Sequence, residues 1–333
     1  MPNLTFSAGY GIKEAKFGQN SNYLSAAKDQ AMTRRVARRD ILVGSLGLGA
    51  GIVVPAQVLA QVQGRTSESQ RIPDVPHRLA RATNLFKAPE LYPNALAVMT
   101  DPPGGLWVAQ QKLKGIQAER YHVQEQSGPD QVFLLDWTGK LLKTLSSGSE
   151  VTSGLAYGEH CLWVVANNEA DYPPPVTGVF QVDMNNKTLS VRQIPLGGGG
   201  THGAQWHEGK LWILASRLNA IIRVDPNSWI ADFAIPVVRD NNLLSGVHDF
   251  AFDNDGFIWI VMLNRSETYA QSIHSLAKYD ANTGTLLEVA SMPAGTGYAH
   301  GLAYHEGAFY GCDAGHPDHD SPNAGWIFRI DLT

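Results

Sequence analysis

The sequence predicts an all-β chain folded as a single β-propeller of five four-stranded blades. Three observations carry that expectation. A phrase of about fifty residues recurs five times, each copy holds an aromatic at the same place in its second strand, and each third strand runs into an Asp. The aromatics are Trp107, Trp163, Trp212, Trp259 and Tyr310, separated by 56, 49, 47 and 51 residues. Four antiparallel strands per period of that length is the arithmetic of a propeller blade.

The elements follow in order within each copy. A first apolar strand opens at Asn94, Ser153, His202, His248 or His300, as in Ser153-Gly-Leu-Ala-Tyr and His300-Gly-Leu-Ala-Tyr. A tight turn leads to the aromatic strand, such as Cys161-Leu-Trp-Val-Val or Lys210-Leu-Trp-Ile-Leu. The third strands are Val132–Asp136, Val179–Asp183, Ile221–Asp225, Leu276–Asp280 and Ile327–Asp331. Turn residues such as Ala281-Asn-Thr-Gly284 then introduce a fourth strand, as in Leu286-Leu-Glu-Val-Ala290. The last copy stops at Thr333 after its third strand, so its fourth is expected from Ala82-Thr-Asn-Leu-Phe-Lys-Ala88, which closes the ring and covers an exposed edge. A sixth blade has room only between Gln110 and Gln131, where Lys112 to Gly128 reads as a polar insertion. The propeller is therefore expected over 82–333, behind a polar, proline-containing lead-in at 61–81.

Composition narrows the function classes. With 44% hydrophobic and 17% charged residues the chain can bury a core, and 33 Gly with 18 Pro show no collagen period. Residues 1–60 hold seven Lys or Arg against three Asp or Glu, which leaves 19 against 28 beyond Ala60. A net −9 there argues against a nucleic-acid or anionic-membrane surface. Two cysteines cannot staple a scaffold; Cys161 and Cys312 are expected as buried, unbridged packing.

Ahead of the lead-in, residues 32–60 read as a signal peptide. Arg34, Arg35, Arg38 and Arg39 precede an uncharged run from Val43 to Ala60 whose glycines and Pro55 do not suit a stable membrane-spanning helix. Arg38-Arg39-Asp-Ile-Leu resembles a bacterial twin-arginine export signal, which implies the twin-arginine translocation machinery as a partner and a periplasmic or secreted mature protein without a membrane anchor. Residues 1–31 fit neither leader nor core and read as a non-native upstream extension before Met32.

The first strand of each blade lines the axis, so its opening residues should converge. Those residues are Asn94, Ser153, His202, His248 and His300. Three imidazoles on an axis suit a divalent transition metal, Zn, Mn, Fe or Cu, better than oxygen-seeking Ca. His202, His248 and His300 are thus the expected metal ligands, with His248, His300 and Asp313 as the expected catalytic groups. Asn94, Ser153, Asp249 and His316 are expected to support the pocket, and Gly203 and Gly301 to allow close backbone approach. Gly197–Gly200 would form a lip at the same mouth, the loop holding Asp313, His316 and His319 would overhang it, and His207 and His305 would lie exposed at the opposite face. No Gly-x-Ser-x-Gly elbow, phosphate-cradling loop or paired-Cys knuckle is present.

The grammar of Asp253-Asn-Asp-Gly-Phe-Ile-Trp-Ile followed by Leu276-Ala-Lys-Tyr-Asp-Ala-Asn-Thr-Gly284 resembles that of the streptogramin (virginiamycin B) lyases and, more widely, gluconolactonase-like and NHL-like propellers. The resemblance covers roughly residues 90–333. It implies a propeller, and for the lyases an axial His with carboxylates and Mg opening a cyclic ester; His248 or His300 matches that His, while the first-strand equivalents hold no Glu. The expected function is a metal-dependent lyase or hydrolase acting on an ester, lactone or related carbonyl of a small molecule. A non-catalytic small-ligand-binding propeller and a His-ligated Cu or Fe redox enzyme are the alternatives.

Overall fold

Successive side chains point to opposite faces of a strand, so near-continuous apolar runs such as Leu106-Trp-Val-Ala109 and Cys161-Leu-Trp-Val-Val-Ala166 make both faces apolar, and a sheet buried on both sides must sit between two others. The computed structural model meets that need with a ring. It describes residues 74–115, 118–119, 123–166, 178–195, 201–215, 218–237, 245–264, 266, 268–315 and 321–333. The expected upstream extension, the leader and residues 61–73 of the lead-in lie outside the described residues.

Four sheets contain the described strands. The first is β2 (Pro93–Met99), β3 (Gly105–Gln110), β4 (Gln131–Leu135) and β5 (Leu141–Ser146); the second is β6 (Thr152–Gly158), β7 (Cys161–Ala166), β8 (Gly178–Asp183) and β9 (Thr188–Arg192). The third is β10 (Thr201–His207), β11 (Lys210–Ala215), β12 (Ala220–Val224) and β13 (Ala231–Pro236). In the eight-stranded sheet, β14 (Ser245–Phe252), β15 (Ile258–Asn264), β16 (Ser275–Tyr279) and β17 (Leu286–Ser291) form one four-stranded unit. The other is β18 (Gly301–His305), β19 (Ala308–Cys312), β20 (Trp326–Leu332) and β1 (His77–Lys87). Among the described residues of 111–130 there is no strand.

The closing strand is longer than the sequence suggests. β1 runs antiparallel to β20 from Ala80↔Leu332 to Lys87↔Trp326, as the 82–88 segment predicted. It starts at His77 because His77–Leu79 also find partners, pairing parallel with Val289–Ser291 of β17. The Arg78 guanidinium bonds Glu288 beside that pairing, so one strand ties the last two units together.

The inner strands β2, β6, β10, β14 and β18 neighbour one another in that order, and β18 returns to β2. Apolar side chains fill the space between each consecutive pair of units. Trp107 and Val132 meet Leu155 and Val164; Trp163 meets Ile213; Trp212 meets Phe250; Trp259 meets Leu302 and Phe328; and Cys312 and Ile327 carry the last unit back toward Leu96 and Phe133. The four tryptophans are buried, whereas Tyr310 is half-buried against Trp137. The third-strand aspartates have a local cause: Asp136, Asp183, Asp225 and Asp280 each accept backbone N–H groups of the following turn and fix the hairpin. Asp331 has no such turn and pairs with Arg329. Both cysteines are buried and unbridged, as expected.

Candidate active site

The two ends of the inner strands differ. At one end the strands join through tight turns, such as Glu159-His160, Glu208-Gly209 and Glu306-Gly307 with left-handed backbones. At the other, second strands leave and first strands begin, and the described residues there, such as 111–115, 123–130, 268–274, 292–300 and 321–325, are connections between strands. The candidate residues lie at this loop-bearing end.

A repeated backbone device aims them. β2, β6, β10 and β14 each shift register against the adjacent strand at the opening residue: between Pro93 and Ala95, Thr152 and Gly154, Thr201 and Ala204, and Val247 and Phe250. A bulge turns a side chain out of the normal alternation. Asn94, Ser153, His202 and His248 occupy those bulges, and His300 stands one residue ahead of β18, its N–H donating to Cys312 O at 2.8 Å. The repeat therefore delivers one polar side chain per unit to the axial mouth.

Three imidazoles meet there. His202 and His248 have ring centroids 4.4 Å apart, and His248 and His300 4.6 Å apart at 76°. His248 and His300 are buried and His202 is half-buried. Each ring is oriented through Nδ1. His248 Nδ1 lies 2.6 Å from the carbonyl oxygen of His300, which can only accept, so Nδ1 carries a proton and, in the neutral form of the ring, Nε2 carries the lone pair. His300 has the opposite tautomer, because its Nδ1 accepts from Ala314 N–H at 3.3 Å and leaves its proton on Nε2. Ser153 Oγ holds His202 Nδ1 at 2.7 Å. A base and a donor thus stand side by side.

The other expected residues take supporting places. Asn94 Nδ2 donates to Gln111 Oε1 at 2.8 Å and to Thr152 O at 2.9 Å, joining the first and second units. Asp249 is fully buried; it accepts from Phe250 N–H and, across to the last unit, from Leu302 N–H at 2.7 Å, and burial pushes its carboxyl well above the usual range. Its space comes from Gly203, where an added Cβ would stand 2.9 Å from Asp249 Cα and closer still to Oδ1. Gly301 likewise admits the backbone of Ala95 and Leu96. Asp313 is also buried. It accepts from Ser321 Oγ at 2.7 Å, Gly315 N–H at 2.7 Å and Tyr269 OH at 3.2 Å, and burial pushes its carboxyl up to about 6. It thereby anchors the loop whose Ala314 N–H orients His300, which makes it a positioning residue. His316, His319 and Gly197–Gly200 lie outside the described residues.

Some neighbours lie outside the residues expected from the sequence. Tyr298 packs edge-on to His300 at 4.5 Å and to His274 at 4.7 Å, extending the row of rings toward Tyr269. Asp130, buried and pushed up to about 6, accepts from Lys112 and Thr152 N–H and knits the first unit to the second. Its place just before a third strand could have marked it as an anchor. His207 and His305 correct an expectation: they are half-buried, stacked on Phe252 at 3.9 Å and on Trp137 at 4.2 Å, because the inner-strand ends pack against neighbouring aromatics.

Among the described residues no three His, Cys, Asp or Glu side chains stand as a metal-holding group. His202, His248 and His300 contact one another ring to ring and commit Nδ1 to hydrogen bonds inside the protein. That arrangement suits proton transfer. No helix among the described residues is long and apolar enough to cross a membrane.

No family model and no curated protein matches the chain. Solved structures do. The glutaminyl cyclase of Myxococcus xanthus is similar over 78% of this chain and 98% of that one, at 14% identity and a TM-score of 0.50. A streptogramin B lyase is similar over 76% and 98% at 12% identity and a TM-score of 0.39, and the virginiamycin B lyase of Staphylococcus aureus over 72% and 67% at 12% and 0.36. The chain has the β-propeller fold of this group.

Proposed function

We propose that the chain is an exported propeller enzyme that moves a proton at the carbonyl of a small ester, lactone or amide bound at the loop-bearing mouth. His248 Nε2 accepts the proton, from water in a hydrolysis or from carbon in an elimination. His300 Nε2–H donates to the carbonyl oxygen as negative charge gathers there. In a hydrolysis the water oxygen bonds to the carbonyl carbon, the acyl–oxygen or acyl–nitrogen bond breaks, and the proton held by His248 passes to the leaving atom. His202, steadied by Ser153, completes the wall. Asp313 and Asp249 act through the groups they hold. Export to the periplasm by the twin-arginine route is part of the reading and rests on the leader alone.

The observation that carries the proposal is the opposed tautomers of two touching, buried histidines, fixed by His300 O and Ala314 N–H. The glutaminyl cyclase and the streptogramin lyase suggest the substrates to try first. The protein beginning at Gln61 is assayed with p-nitrophenyl acetate, a δ-lactone and a dipeptide with N-terminal glutamine. Turnover of one of them, lowered about 100-fold or more in kcat by His248→Gln at unchanged melting temperature, supports the reading. No turnover of any, or full activity in the variant, would overturn it. Unsaturated product against water incorporation separates elimination from hydrolysis.

A further inference from the structure

At the end of the inner strands away from the histidines lies a cavity of about 260 Å³. Five strand steps lead from His202 to His207, so it sits about 16 Å from the imidazole wall. Gln205 closes the path between them: its Nε2 reaches from β10 to Leu302 O of β18 at 3.2 Å, passing over the intervening unit, and Gln205 itself lines the cavity.

The walls repeat with the blades. The residue two places before each tight turn, or its equivalent, is Val98, Tyr157, Trp206, Phe252 or Tyr304, and all five line the cavity. Four of the five are aromatic and none is fully buried. Trp206 is held from behind by Trp163, at 5.5 Å, and by Gly158, where any side chain would collide with the indole. The Tyr157 hydroxyl is fixed on Asp101 at 2.6 Å.

The lining is acidic and holds no Lys or Arg. Asp253 is turned into its own hairpin, accepting from Asp255 and Phe257 N–H and from Trp259 Nε1, with Lys278 behind it at 3.9 Å. Glu306 stands exposed at the rim, 3.7 Å from His305 Nε2. Burial pushes the His207 imidazole below its ordinary range, against Glu208, which pulls it up. Aromatic faces under the exposed Glu306 carboxylate attract a positive charge whose hydration is weak.

We propose that this cavity is a binding site for a compact organic cation of the alkylammonium type, separate from the site of carbonyl chemistry. Choline is the probe and 3,3-dimethylbutan-1-ol, which has the same shape without the charge, is its control. Saturation-transfer NMR on the probe methyls and calorimetry are expected to show saturable choline binding, about tenfold or more tighter than the neutral isostere. Glu306→Gln, an exposed substitution without risk to the core, should weaken choline several-fold and leave the isostere unchanged. Trp206→Leu, checked for folding by its melting curve, should weaken choline further. His248→Gln should not alter either, which separates this site from the catalytic reading. Absence of saturable choline binding, equal binding of the isostere, or choline binding indifferent to Glu306→Gln would overturn the proposal.

Discussion

Gly203→Ala tests how the inner strands are locked together. Gly203 has φ +75°, a left-handed conformation that costs a residue with Cβ about 1–2 kcal/mol. Its added Cβ would also stand 2.9 Å from Asp249 Cα and closer to Oδ1, in a space with no exposure. Moving that carboxyl strands Leu302 N–H, a further cost of about 1–3 kcal/mol. The sum is about 2–5 kcal/mol. Gly209 is the internal control, at φ +71° in the turn after the same strand but with nothing within 4 Å of its Cβ position, so Gly209→Ala incurs only the backbone cost. Urea unfolding should place the midpoint of the Gly203 variant well below that of the Gly209 variant at similar m, and the gap should shrink in an Asp249→Ala background. Equal destabilisation at the two positions would refute the wedge.

Two further expectations follow from the buried carboxyls and the closing strand. Asp130 and Asp313 both titrate near 6 in the fold against about 3.8 unfolded, so each contributes stability that is whole below about pH 4 and is lost as pH rises through 6. At about 1.4 kcal/mol per unit the loss is about 3 kcal/mol for each. Asp313→Asn should therefore gain about 3 kcal/mol relative to the parent between pH 4 and pH 8 in denaturant titrations; an unchanged difference at the two pH values would contradict the assignment. Deleting residues through Lys87 removes β1 and uncovers β20, so the protein should aggregate or melt far lower, while deletion through Asp74 should change little. Equal melting temperatures for the two truncations would refute the closing role.

Most of the architecture was legible because a propeller repeats its hydrophobic grammar. The aromatic at 107, 163, 212 and 259 and the Asp at 136, 183, 225 and 280 recur because each unit solves the same packing and hairpin problem. The convergence of His202, His248 and His300 was legible for the same reason. What the imidazoles do on arrival was not. Their tautomers depend on His300 O and Ala314 N–H, backbone groups that leave no mark in a sequence, and the bulges that turn the side chains depend on ladder register. Asp313 is expected from the sequence as a catalytic loop acid over the mouth, yet it is buried as an anchor because Tyr269 and Ser321, from elsewhere in the chain, and the nearby Gly315 N–H close around it. His207 and His305 fall in polar turns, and their stacking on Phe252 and Trp137 comes from units that the local sequence does not announce.

Long-range proton–nitrogen correlation NMR on the ¹⁵N-histidine-labelled protein, with His248→Gln and His300→Gln used for assignment, is the most direct examination of the catalytic wall. The account predicts that at pH 8 His248 carries its proton on Nδ1 and His300 on Nε2. A proton on Nε2 of His248, or the same tautomer on both rings, would contradict it.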